Sequence, residues 1–269
     1  MKRRSILGMF GAGILSRSGV AQSTNGPMIR ILSYNIHIGI GLDKALELER
    51  IAAIIREQQA DLVALQEVDR NAERSQRIDQ PAELARLTGM HVVFGRTLFH
   101  GPSAESGEYG NAVLSRFPIA TSQNHELPAA PGVEPRCALE IRVEWPTPGQ
   151  QPLPIRFIAT HFDHTSEANR IAAAETLNAL AESSPELPTF LAGDLNATPD
   201  TEPVRMLRQR WELAGAPDAY PSFPADAPTR QIDYILYRPA ESWNPVDVHV
   251  VDEAVASDHR PILAVLQRS

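Results

Sequence analysis

The sequence predicts an α/β protein in which two packed β-sheets are flanked by helices. Three observations predict it: many short apolar runs of strand length, few helical patterns, and both kinds spread along the whole chain instead of segregated. Residues 29–38 read as the first strand. Residues 44–57 read as a helix, with Leu46, Ile51, Ile54 and Ile55 apolar, and residues 61–65 as a second, buried strand. A short helix over 81–87 opens at Pro81, a residue favoured at a first helical position. Strand patterns come next at 92–94, 112–115, 138–145 and 155–160. Residues 166–181 form the second strong helical pattern, with Ser166 as N-cap and Glu167 in the first turn. Strands at 189–192, 232–237, 246–251 and 262–266 complete the second half. Pro-rich stretches at 127–135, 146–154 and 216–228 read as surface loops between them.

The first residues read as an address. Lys2, Arg3 and Arg4 precede an apolar stretch over 6–15, and Gly19-Val20-Ala21 suits cleavage after Ala21, so residues 1–21 are expected to be a signal peptide. Arg3-Arg4-Ser5-Ile6-Leu7 also resembles a twin-arginine signal, and ordinary export with two chance arginines is the competing reading. The apolar run is far shorter than the roughly 20 residues a bilayer needs, and no later stretch is longer. Export places the mature protein in the periplasm or outside the cell. Residues 28–269 show no linker or repeat, and a composition 43% hydrophobic suits one large domain, expected to be monomeric. The lone Cys137 excludes an intrachain disulfide and a cysteine zinc site, and its strand-like context predicts a buried, inert thiol. The net charge is −8; cleavage after Ala21 would remove four cations and no acid, leaving −12. Such a surface repels polyanions, and no lysine cluster offsets it.

Function is carried by a polar set dispersed along the chain. It comprises Asn35 in Leu-Ser-Tyr-Asn-Ile-His, Glu67 in Leu-Gln-Glu-Val, His161 in Ala-Thr-His-Phe-Asp-His, Asp194 and Asn196 in Gly-Asp-Leu-Asn, Asp233 in Gln-Ile-Asp-Tyr, and Asp258-His259 in Ala-Ser-Asp-His-Arg-Pro. Nearly every member ends a short apolar run, so the set lies where strands emerge from a core. Repelling anions at a core edge cost stability unless a partner compensates them. A divalent cation is the expected partner, and metal-assisted phosphoester hydrolysis the expected chemistry.

Each residue has a plainer reading beside the functional one. Asn35 could form only a turn, and His161 could be a satisfied core histidine. Glu67 carries more weight, because a carboxylate ending an apolar strand almost requires a metal or an arginine. His161, Asp163 and His164 mimic part of a zinc signature, but Ala159 breaks it. Asp194-x-Asn196-x-Thr198 resembles the start of a calcium loop, yet Pro199 and Arg205 stand where that loop needs Gly and Glu. Period-two alternation points Asp194 and Asn196 the same way. Asp258-His259 offers a carboxylate beside a titratable base, and Asp233 at a strand start is placed to orient His259.

Together, Ile31-Leu-Ser-Tyr-Asn35-Ile-His, Asp61-Leu-Val-Ala-Leu-Gln-Glu67-Val, Glu108-Tyr-Gly-Asn-Ala-Val-Leu-Ser-Arg-Phe-Pro118 and Ser257-Asp-His-Arg-Pro261 resemble the endonuclease/exonuclease/phosphatase superfamily. The resemblance runs from about Met28 to Leu266. It is closest to exported bacterial members, similar to the sphingomyelinase-like and glycolipid-anchor-remodelling branches. It implies a four-layer α/β sandwich, with two mixed sheets face to face and helices outside. It also implies roles: Glu67 holding Mg²⁺ or Mn²⁺, with Asn35 and Asp258 supporting the same metal site. Asp194 would orient or deprotonate the attacking water, and Asn196 would bond a phosphate oxygen. His161, and His259 aligned by Asp233, would donate to the non-bridging oxygens. Asn111 and Arg170 fall in segments that the family keeps near the pocket, as substrate-binding residues. Loops 128–135 and 216–230 would choose the substrate.

The leading expectation is a metal-dependent hydrolase of a small or lipid-borne phosphoester, whose partner is a membrane lipid headgroup or a small molecule in preference to nucleic acid. A secreted nuclease uses the same residues but should line its rim with cations. A non-catalytic binding module on this fold should have lost Glu67, Asp194 or His259, and none is lost.

Overall fold

The computed structural model describes residues 26–102 and 104–269; the expected signal peptide at 1–21 lies outside the described residues. The elements run β1 (Met28–Asn35), α1 (Leu48–Glu57), β2 (Leu62–Arg70), α2 (Gln80–Thr88), β3 (His91–Phe99), β4 (Glu108–Ser115), β5 (Ile119–Leu127) and β6 (Arg136–Trp145). They continue with β7 (Leu153–His161), α3 (Glu167–Glu182), β8 (Thr189–Asp194), α4 (Glu202–Leu207), β9 (Glu212–Leu213), β10 (Asp233–Arg238), β11 (Trp243–Val250) and β12 (Ile262–Arg268).

The strands form two six-stranded sheets, ordered β11-β12-β1-β2-β4-β3 and β5-β6-β7-β8-β10-β9. Each sheet holds one parallel pair at its centre, β1 with β2 and β7 with β8, and the other pairings are antiparallel. A parallel pair needs a crossover, and α1 and α3 supply the two. The sheets are therefore mixed.

Alternation along the strands sorts the apolar residues into three layers. Ile29, Ile31, Leu62 and Ala64 of one sheet meet Phe157, Ala159, Phe190 and Ala192 of the other in the central core. Leu32, Tyr34, Val63 and Leu65 face outward against Ile51, Ile54 and Ile55 of α1. On the other side Ile158, Leu191 and Leu236 pack on Ala173, Ala174 and Leu177 of α3 and on Val204 and Leu207 of α4. Three apolar layers between four structural ones make the α/β sandwich that the resemblance implies.

Several boundaries differ from the sequence reading. The first helix starts at Leu48, since Lys44 adopts a left-handed φ of 65° and Gly41 N–H donates to Ala45 O, closing a turn instead. Strand β2 does not stop at residue 65 but continues to Arg70. Strand β5, an exposed edge, and the short helix α4 have no counterpart in the sequence reading. The second strong helix stands as expected, with Ser166 Oγ accepting from Asn169 N–H at 3.2 Å.

Candidate active site

The parallel pairs and the strand beside them bring four site residues to one end of the central core. Ile29 and Ile31 face the opposing sheet, so period two places Asn35 on that face where β1 ends. By the same count His161 follows Phe157 and Ala159 on β7, and Asp194 follows Phe190 and Ala192 on β8. Asp233 precedes Ile235 on the antiparallel neighbour and pairs with Asp194 in register. A polar floor thus caps the apolar core at the carboxyl ends of both parallel pairs, where open α/β sheets bind ligands.

Glu67 reaches this floor by a different route. Strict alternation from Val63 and Leu65 would turn it toward α1. Instead the pairing of β2 with β4 shifts between Leu65 and Val68, and Glu67 takes a left-handed φ of 56°. The bulge re-aims the carboxylate into the cleft. Glu67 therefore sits inside a strand, not at its end as the sequence suggested, and the cost of a left-handed, non-glycine residue is borne at the site.

Asn35 ties the sheets together. Its Nδ2 donates to Glu67 Oε1 at 3.0 Å and to Asp194 Oδ2 at 3.2 Å, while its Oδ1 accepts from His37 N–H. Asn196, left-handed at φ 47°, donates from Nδ2 to Phe162 O at 3.1 Å and faces His161 Nε2 at 3.1 Å. His259 Nδ1 lies 2.9 Å from Asp233 Oδ2, which also accepts from Ser222 Oγ at 2.6 Å. The other ring nitrogen of His259 lies 3.6 Å from Asp194 Oδ2. Phe223 packs on the His259 ring, with centroids 4.7 Å apart.

These groups are buried, and burial decides their charges. Burial and the Asp233 carboxylate push the Asp194 carboxyl up to about 7, against the opposing pull of His259. Burial works against the His259 imidazolium, but Asp233 and Asp194 outweigh it and hold its pKa up at about 10. His161 goes the other way: burial, then Arg136 and His259, push it well below its ordinary value. Two histidines beside one carboxylate thus hold opposite charge states at neutral pH.

The cleft has a volume of about 420 Å³, and its lining includes Glu67, Asp194, Asn196, His161 and His259. Five of the chain's eight histidines line it, because His37, His100 and His164 join the two expected ones. Arg74, Tyr109 and Arg136 complete a donor-rich wall. Buried Asp69 holds Arg74 by two bonds of 2.8 Å. Sequence patterns did not single out His37, His100, Tyr109 or Ser222, since a lone polar residue in a loop or strand carries no periodic signal. Five of the expected residues are not in the lining: Asn35 and Asp233 act from behind it, bonded to Glu67 and Asp194 and to His259, and three others make no bond to a lining side chain. Asp258 stands behind His259, its Oδ1 3.4 Å from Ser257 Oγ. Asn111 is buried and donates to Cys137 O at 3.2 Å, and Arg170 donates to Asp163 O at 2.9 Å. Both are anchored to backbone carbonyls of residues beside the lining, Cys137 next to Arg136 and Asp163 next to His164.

Asp194, Asp233 and His259 each bring a ligand atom within 4.8 Å of the others, a group able to hold a metal ion. Asp233 Oδ2 already takes two hydrogen bonds, while its buried Oδ1 has no partner among the described residues. Glu67 is the freer ligand, since its only hydrogen bond among the described residues leaves Oε2 open. Carboxylate and amide oxygens suit a hard divalent cation. A thiolate ligand is excluded, because Cys137 is buried and its thiol pKa is pushed up to about 12.

A two-sheet α/β sandwich with carboxylates and imidazoles at its open end defines a class of hydrolytic proteins. The chain belongs to the endonuclease/exonuclease/phosphatase family, whose model matches residues 32–259 and whose members are hydrolases, including phosphatases, nucleases and phosphodiesterases. It is 27% identical over 251 residues to the uncharacterized protein YbhP of Escherichia coli K12, covering 87% of this chain and 94% of that one. Among solved structures it resembles an endonuclease/exonuclease/phosphatase from Beutenbergia cavernae, at 25% identity and a TM-score of 0.69, over 90% of this chain and 72% of that one. It shares its fold with a mannosyl-6-phosphatase from Bacteroides thetaiotaomicron, at 17% identity and a TM-score of 0.69, over 88% and 99% of the two chains.

Proposed function

We propose that the chain is a divalent-metal-dependent phosphoesterase acting on a small or lipid-borne phosphoester outside the cytoplasm. The observation that carries this reading is the convergence of Asp194, His161 and His259 with Glu67 in a single cleft, the Asn35 amide bonding both Glu67 and Asp194. Glu67 would hold Mg²⁺ or Mn²⁺, with the Asn35 amide aiming it. When bound, the ion supplies positive charge to phosphate oxygens as negative charge grows on them. Asp194 accepts a proton from the attacking water, a task its pKa suits near neutrality. The His259 imidazolium, held by Asp233, donates to a non-bridging oxygen, as do Asn196 and His161.

The substrate class rests on charge. The net charge of −8 opposes the approach of a polyanion, and a protein meeting several duplex phosphates needs matching cations. Residues 1–21 act in this reading as an export signal, leaving a periplasmic or secreted monomer. Activity against a panel of glycerophospholipids, sphingomyelin, small sugar phosphates and supercoiled plasmid, each with Mg²⁺ and with EDTA, tests the proposal. Turnover of a lipid or small phosphoester that EDTA abolishes is expected. Efficient, salt-sensitive nicking of the plasmid, lost in Glu67→Gln, would establish a nuclease instead.

A further inference from the structure

A guanidinium carries N–H donors on every nitrogen and accepts nothing. Arg136 Nη1 lies 2.9 Å from His161 Nδ1, so that ring nitrogen must be the acceptor. A neutral imidazole whose Nδ1 accepts keeps its proton on Nε2. We infer that Arg136 locks His161 as the neutral Nε2–H tautomer, which makes it a fixed hydrogen-bond donor and removes it from proton transfer. The tautomer stands on hydrogen-bond direction alone, whereas its catalytic meaning rests on the phosphoesterase reading.

The surroundings of Arg136 are built for this task. Its side chain is 7% exposed, and its other terminal nitrogen, Nη2, is shared between Glu134 at 3.1 Å and His164 Nδ1 at 3.3 Å. A second proton on His161 would face Arg136, His259 and His164, all of which disfavour it, with Asp194 Oδ2 at 3.5 Å as the opposing charge. On the cleft side Nε2 meets Asn196 Nδ2 at 3.1 Å, and that amide is kept nitrogen-inward by its bond to Phe162 O. Two N–H groups therefore converge, and the nearest acceptor to Nε2, Asp194 Oδ2, stands off at 3.5 Å. A phosphate oxygen placed there accepts from both, so Arg136 acts as a positioning residue for an oxygen site that it does not itself touch.

The test reads the ring directly. In ¹⁵N-histidine-labelled protein, two-bond proton–nitrogen correlation should show His161 with a bare Nδ1 and a protonated Nε2, unchanged through the neutral range. Arg136→Met should release the lock, giving a mixed or doubly protonated ring and a fall in kcat on the order of 10–100-fold, as for other groups that orient a reacting residue, with KM little changed. Arg136→Lys keeps one donor toward Nδ1 and should keep the wild-type pattern. A protonated Nδ1 in the wild type, or a wild-type pattern persisting in Arg136→Met, overturns the inference. A wild-type ring with the expected pattern in a protein that hydrolyses no phosphoester leaves the lock standing and removes the functional reading instead.

Discussion

Glu67 holds its place through a bulge and one amide, and its carboxylate is the least committed anion in the cleft. Glu67→Gln is expected to lower turnover at saturating Mg²⁺ by on the order of 10²-fold or more, since loss of even a supporting group around a metal costs about 10–100-fold. The melting temperature without metal should hold or rise, because one buried-site charge is gone. Activity near wild type would remove Glu67 from the metal site. Asp233 acts on a neighbour. With its carboxylate neutralised in Asp233→Asn, the His259 imidazolium loses its nearest compensating charge and its pKa falls from about 10. The group must be charged to donate, so activity should disappear at a lower pH on the alkaline side, a shift read from kcat/KM profiles. An unmoved alkaline limb would detach Asp233 from the reaction.

At the scale of elements, α3 begins on an unusually well-satisfied carboxylate. Asp163 Oδ1 accepts from Thr165 N–H, Thr165 Oγ1 and Ser166 N–H, and Oδ2 accepts from Asn169 Nδ2. Burial pushes its pKa up, but these donors outweigh burial and hold it well below the usual carboxylate range. A depressed folded pKa contributes stability above the ordinary carboxylate range that fades as the pH falls through and below it. Asp163→Ala should thus cost about 1–2 kcal/mol near neutral pH, since its donors lose their acceptor, and less in acid, by thermal melts at both. The same segment shows what a sequence can display. Ser166 and the apolar spacing behind it announce α3 because both act within one turn. The inward run of β1 was legible for the same reason, since period two needs only its own residues. Strand β5 was not, because its Thr121, Ser122, Gln123 and Asn124 are all polar and exposed and give no alternation to read. Neither was the bulge at Glu67, which arises from how β2 registers against β4, forty residues further on. The cleft histidines beyond His161 and His259 were hidden likewise: their meaning lies in which strands meet, and no local pattern encodes that.

For the molecule as a whole, the site needs both sheets. Asn35 and Glu67 belong to one, His161, Asp194 and Asp233 to the other, and the hydrogen bond from the Asn35 amide to Asp194 spans the gap while the same amide holds Glu67. At the opposite end of the central core an aromatic clamp joins the same sheets. Trp243 of β11 stacks against Trp145 of β6 and Phe190 of β8, with ring centroids 5.6 and 4.8 Å apart. Truncating a buried aromatic costs roughly 3–5 kcal/mol, so Trp243→Ala should lower the melting temperature sharply while kcat below that temperature stays near wild type. A large loss of kcat in a variant still folded would show that the clamp reaches the chemistry. Because a lone sheet retains only half of the reactive groups, turnover is in effect a proximity gauge between two layers. It should vanish as soon as they part, however much secondary structure persists. In a urea titration, activity and tryptophan emission should then trace one curve, and a partly swollen state that keeps its strands should be catalytically silent.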